Sequence, residues 1–114
     1  DVNIKEELFG KFSHILILSA EVSGNDLAVN YVFFNSFAQA NLKNANFKNA
    51  SLWNVNFYSA NLTNADLSGA DLRGAFLGGA DLSNVNLEGA HLDGAYTDET
   101  TILKCNNHSI CDSD

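Results

Sequence analysis

The sequence has no proline and no methionine, one tryptophan and only two cysteines. Charge is scarce as well. Asp, Glu, Lys and Arg make up 18% of the 114 residues, with six basic against fourteen acidic and a net of −8. That balance opposes the counterion release that drives nucleic-acid binding, so no nucleic-acid partner is expected. It also disfavours anionic membrane surfaces. No apolar run approaches the ~20 residues of a spanning helix; the longest aliphatic run is Ile15-Leu16-Ile17-Leu18. Lacking methionine, the chain is expected not to begin where translation begins, with any signal peptide already removed. Catalytic signatures are missing too. There is no G-x-S-x-G, no H-E-x-x-H, no phosphate-binding glycine loop and no nucleophile–base arrangement. No enzymatic activity and no cofactor is expected.

What the chain does have is a repeat, the feature to test first because overlooking it misreads the fold. From Ala40 it reads ANLKN, ANFKN, ASLWN, VNFYS, ANLTN, ADLSG, ADLRG, AFLGG, ADLSN, VNLEG, AHLDG: eleven units of five residues without an insertion. The first position is always Ala or Val, the third always Leu or Phe, and the second Asn or Asp in eight of the eleven. A period of five fits neither a helical stripe nor strand alternation. The chain must therefore turn a corner about once per unit, with one small and one large apolar side chain inside. The fifth position agrees. Apart from Ser59 it is Asn or Gly, the residues that tolerate the positive φ of a type II turn.

These units resemble the pentapeptide-repeat family, whose motif is A-(D/N)-L-x-x. The resemblance implies an all-β fold, a right-handed quadrilateral parallel β-helix with four units per coil and short caps at both ends. Residues twenty apart would then stack at the ~4.8 Å inter-strand spacing. The implied inner columns are Val22-Leu42-Leu62-Leu82, Leu27-Phe47-Leu67-Leu87, Val32-Leu52-Leu72-Leu92 and Phe37-Phe57-Leu77. One domain over 1–114 is expected. Residues 1–10 form an N-terminal cap that is helical or extended, 11–39 degenerate coils, 40–96 the regular repeats and 97–114 a C-terminal cap. The degenerate part keeps the five-residue phase at Ala20, Asn25, Asn30 and Asn35, but three of these put an Asn where the core expects Ala. At Thr97 a polar residue takes the third position and the pattern stops.

Cys105 and Cys111 form a C-x5-C pair. A metal site needs more ligands than these and His108 supply. A disulfide stapling the cap is expected, with two free thiols as the alternative. A disulfide implies an oxidising compartment, such as periplasm, thylakoid lumen or the extracellular space, and free thiols the cytoplasm. His91, near Asp71 and Asp93, reads as a surface histidine. Charge is uneven: residues 1–57 carry a net of −1 and residues 58–114 a net of −7. Outward aromatics gather on two faces. Phe33, Trp53 and Arg73 fall twenty apart with Tyr31 and Phe34 flanking, and Tyr58, Phe76 and Tyr96 follow on the adjoining side. They read either as a contact surface or as ladder packing. The expectation is a non-enzymatic structural or protein-binding module, monomeric, with a protein partner. The alternative, suggested by acidic gyrase-binding members of the family, is a DNA-mimicking inhibitor of a DNA-handling enzyme.

Overall fold

The computed structural model describes residues 16–23, 26–33 and 36–112. Its regular part is built on the corner. In each unit the N–H that opens the next unit donates to the third-position carbonyl, as from Ala45 to Leu42 and from Ala60 to Phe57, both at 3.0 Å. Fifth-position φ values lie between 55° and 72°, for Asn and Gly alike. One positive φ, at the second central residue, defines a type II turn. Ser59, the residue out of pattern, adopts φ 55° as well. The coils above and below hold it there.

Between corners the chain pairs with the coil above. Asn41 bridges Asn61 in parallel and Asn61 bridges Asp81, with the same twenty-residue step at every unit from Ser36 to Phe76. Leu42 N–H donates to the Asn61 carbonyl at 2.7 Å, Asn44 N–H to Thr63 at 2.9 Å, and Asn61 N–H to Ala40 at 2.9 Å. A coil is thus twenty residues with four corners. One N–H per unit, at the fourth position, has no partner in the ladder. The second-position side chain takes it, as from Lys43 to Asn41 Oδ1 (3.2 Å), Thr63 to Asn61 Oδ1 (3.0 Å) and Ser83 to Asp81 Oδ1 (2.9 Å). This explains the Asn or Asp at position two. Its short acceptor satisfies a donor that would otherwise lack a protein partner.

The third positions fill the interior. Phe37, Leu42, Phe47, Leu52, Phe57, Leu62, Leu67, Leu72, Leu77, Leu82 and Leu87 are all fully buried, with the first-position Ala and Val between them. Three rings interlock at the base: Phe37 stacks on Phe57 at 5.5 Å, and Phe47 meets both edge-on. Leu92, expected in the core, is only partly buried, because its column ends there.

Two expectations need correction. The degenerate coils do not extend through residues 20–33. Instead β1 (Leu16–Ser23) and β2 (Asp26–Phe33) pair antiparallel, with Val22 opposite Leu27 and Leu16 opposite Phe33, and with an irregularity near Ser19. Val22, Leu27 and Val32 are therefore hairpin residues rather than the lowest members of the inner columns. The reason is physical. A coil would turn Asn25 and Asn30 inward in place of Ala, whereas a hairpin pairs the backbone with no such demand. Two extended runs separated by Gly24-Asn25 carry the composition of a two-residue hairpin. Ser36 and Phe37 do join the stack. The expected cap over 1–10 lies outside the described residues.

At the other end the ladder does not stop at Thr97. A six-residue step from Tyr96 to Ile102, which pairs with Asp81, is followed by a four-residue step that restores the register at Asn86 to Asn106. Leu103 and Cys105 then pack on the core above Leu82 and Val85. Cys105 and Cys111 are disulfide-bonded with Cα atoms 5.2 Å apart. The loop they close turns back, so that Asp112 N–H donates to the Leu103 carbonyl at 2.8 Å and Ile110 lies against the core.

Leu62→Ala should lower stability by about 2–5 kcal/mol in urea melts, and Leu62→Asp should not fold. Wild-type melting in either would overturn the inward placement. A second test concerns corners. A Cβ at Gly69 would collide with Asn49 Oδ1, whereas one at Gly89 would meet only Gly69 backbone at 3.9 Å. Both have positive φ, so Gly69→Ala should destabilise more than Gly89→Ala. Adding Asn49→Gly should remove most of that difference.

Candidate binding surface

Four faces rise along the stack, one per unit of the coil. Their outward positions are the second and fourth of each unit. On the first face these are Asn41, Lys43, Asn61, Thr63, Asp81 and Ser83; on the second, Asn46, Lys48, Asp66, Ser68, Asn86 and Glu88. Every second position here is an Asn or Asp that holds its fourth-position N–H at 2.9–3.2 Å.

The other two faces break that rule. On the third, Ser51 and His91 occupy second positions; on the fourth, Phe76 and Tyr96. Among the described residues, the N–H groups of Trp53, Gly78 and Asp93 gain no bond from these side chains. Each of these three N–H groups forgoes a hydrogen bond with a net worth of ~1 kcal/mol, whereas Asp98 N–H, in the Tyr96 unit, donates to Thr101 Oγ1 at 3.0 Å. Where a structural requirement is waived, function is the usual reason.

The large exposed aromatic side chains occupy these two faces, while exposed Ile102 continues the first face above Asp81. Trp53 is 50% exposed, Tyr96 49%, Tyr58 45% and Phe76 37%. The fourth-face rings form a column. Phe76 and Tyr96 lie 4.8 Å apart and 5° from parallel, and Tyr58 joins from below at 6.0 Å and 27°. The bridge from Asn56 through Phe76 to Tyr96 imposes this stacking. Ring faces turn towards one another, so part of the aromatic signal is ladder packing. The Phe76 ring also covers Gly78, where a Cβ would come within 3.2 Å of it and 3.0 Å of Asp98 Oδ2. Sequence reasoning missed Gly78 and Asp98. The unusual AFLGG unit, with Gly at positions four and five, was the available signal.

Trp53 takes no part in an aromatic stack among the described residues. It borders a shallow open hollow with Ser51, Asn54, Asp71, Arg73 and Gly74. Arg73, one coil above Trp53, is held by Asp71 through Nε to Oδ1 (2.8 Å) and Nη2 to Oδ2 (2.7 Å). Those bonds keep the Asp71 carboxyl below its ordinary pKa and raise that of Arg73. Asp98 is likewise lowered, chiefly by the Thr100 hydroxyl that donates to it. The backbone of Phe33, a residue expected in the Trp53–Arg73 column, ends β2 opposite Leu16, and Tyr31 lies in the same strand. Phe34 is outside the described residues.

Charge follows the same division. Lys43, Lys48 and Lys104 offset Asp66, Asp81 and Glu88 on the first two faces. On the third and fourth, up to the turn that ends the latter, Asp71, Asp93, Asp98 and Glu99 face Arg73 alone, a net of −3. His91 stands above Asp71, but the described residues contain no group of three side chains arranged to hold a metal. No described helix is long and apolar enough to cross a membrane.

The depressed Asp71 pKa has a testable sign. The pair adds stability above the unfolded carboxyl's pKa and loses it as pH falls through the lower folded value. In an NMR titration, the Asp71 midpoint should lie below the ordinary carboxyl value and rise towards it in Arg73→Ala. An unmoved midpoint would contradict the pairing.

Residues 36–74 and 60–96 match the family model for pentapeptide repeats, in eight copies. Among solved structures, the chain is similar to the pentapeptide repeat protein Rfr23 of the cyanobacterium Cyanothece 51142. Identity is 34%, over 71% of this chain and 65% of that one, with a TM-score of 0.49. HetL of the cyanobacterium Nostoc, a pentapeptide repeat protein involved in heterocyst differentiation regulation, is 30% identical over 70% of this chain and 39% of its own, with a TM-score of 0.49. A pentapeptide repeat protein of the Arabidopsis thaliana thylakoid lumen is 36% identical over 66% of this chain and 59% of its own, with a TM-score of 0.40. The chain thus spans less than two thirds of the length of each of the three. No curated protein matches. With the family model covering residues 36–96, more than half of the 114 residues, the chain belongs to the pentapeptide-repeat family.

Proposed function

We propose that this chain is a non-enzymatic protein-binding module, a right-handed solenoid that docks a protein partner on its third and fourth faces. One observation carries the reading: from Asn41 to Tyr96 the second-position Asn or Asp is abandoned only on these faces, and the large exposed aromatics stand there. Trp53, Arg73, Tyr58, Phe76 and Tyr96 form this surface. The rest of the regular coil is occupied by capping side chains, Ala and Leu, which leaves no enclosed site for chemistry. The disulfide favours an oxidising compartment, whether periplasm, thylakoid lumen or extracellular space, and one similar protein comes from a thylakoid lumen.

Charge density weighs against DNA mimicry. A duplex carries one charge per ~1.7 Å of axis, so three coils rising ~4.8 Å each would need about eight. The acidic half, residues 58–114, carries a net of −7, but its carboxylates from Asp66 to Glu99 are spread around all four faces rather than along one, with a net of −3 on the aromatic two. No inhibition of gyrase supercoiling is expected at micromolar protein.

Affinity capture from an extract of the source organism tests the surface. Trp53→Ala combined with Tyr96→Ala should lose a partner that wild type retains, while Lys43→Ala on the first face should keep it. Equal retention by all three would remove this surface from consideration.

A further inference from the structure

Resting on that surface reading, we propose that its occupant is a basic segment, an extended stretch of the partner with spaced arginines or lysines. Two independent features converge on this chemistry. The first is charge complementarity. Counted from residue 36 through the C-terminal turn to Lys104, the net of −3 sits wholly on the aromatic faces, with Asp98 and Glu99 of that turn included, while the remaining two faces balance once Lys104 is included. Their one cation, Arg73, is engaged by both oxygens of Asp71. Asp93, Asp98 and Glu99 thus present carboxylates with no cationic partner among the described residues.

The second is the state of the aromatic rings. On the fourth face, Phe76 is stacked on both sides, by Tyr58 and Tyr96, and each of those two has one ring face taken by the stack. Trp53 differs. It is half exposed, and no other ring lies on it among the described residues. An exposed indole face is the preferred aromatic surface for a guanidinium or ammonium. Trp53 and Asp93 share the fourth-position column of the third face, with Arg73 between them. Two coil steps separate them by ~10 Å, and on a chain extended as polyproline II, with three residues per turn, side chains three residues apart share one face ~9 Å apart. One basic side chain can therefore lie on Trp53 while the next reaches Asp93. Arg73 with its bound carboxylate forms a neutral step between the two.

The probe is a fluorescein-labelled nine-residue serine peptide with arginine at its second, fifth and eighth positions, compared with the same peptide carrying glutamates. Trp53 is the only tryptophan, so its emission reports occupancy directly. The arginine peptide should bind, shift that emission, and weaken as salt rises to about 0.5 M. The glutamate peptide should not bind. Trp53→Ala should weaken anisotropy-detected binding ~3- to 10-fold, and Asp93→Asn should weaken it several-fold. Asp81→Asn, which removes the same charge from the first face, should leave it unchanged. Equal binding of both peptides, or equal effects of Asp93→Asn and Asp81→Asn, would overturn the proposal. If no arginine peptide binds but partner capture still depends on Trp53 and Tyr96, the surface stands and the basic occupant falls. If capture is also indifferent to them, both fall.

Discussion

A single backbone constraint governs this molecule: a left-handed residue at every fifth position, closing a type II turn. It sets the side length, and with it the coil of twenty residues. Once coils repeat at that length, ladder bonds of 2.7–3.3 Å form between each and the next. Side chains of equal rank then lie above one another. The aliphatic columns, the corner asparagines and the outward aromatic stack are all consequences of that repetition. Ser59 shows the direction of causation. It has no intrinsic preference for positive φ, yet it adopts 55° because the coil around it leaves no other path.

Repetition also divides the residues of a unit into those with a structural duty and those without. The first and third positions fill the interior, the fifth makes the corner, and the second satisfies the fourth-position N–H. Only the fourth side chain is free. A solenoid of this type therefore has few positions on which to build a specific surface, unless it gives up a second-position cap. This chain does so at Ser51, Phe76, His91 and Tyr96, on adjoining faces. The net −3 of those faces and the open indole of Trp53 lie in the same region, so chemistry and departure from the rule coincide.

Much of this was legible beforehand. Position-specific periodicity identifies the inner residues from Phe37 to Leu87 without ambiguity, since no other backbone geometry has a five-residue period. The disulfide was legible as a local C-x5-C loop. Leu92 was over-assigned because a sequence column does not show where the stack ends. The hairpin over residues 16–33 was misread because apolar residues there satisfy two periods at once. Val22, Leu27 and Val32 fit a five-step as well as they fit strands, and the inward asparagines were the warning. Past Tyr96 a six-residue step and then a four-residue step break the pattern on paper but not in the ladder, which regains its twenty-residue register at Asn106.

The sequence alone determined the corner, the core and the family, because those depend on residue type at fixed spacing and each unit repeats the same local chemistry. Only the tertiary structure decided which surface side chains meet. Phe76 stacks on Tyr96 rather than on Trp53, Arg73 binds Asp71 rather than lying over the indole, and the outward charge gathers on two faces. The first is a relation between residues twenty apart in the chain and one coil apart in space, and the second a choice between a carboxylate two residues away and a ring one coil below. They follow from rotamers and neighbours that a five-letter motif leaves unspecified.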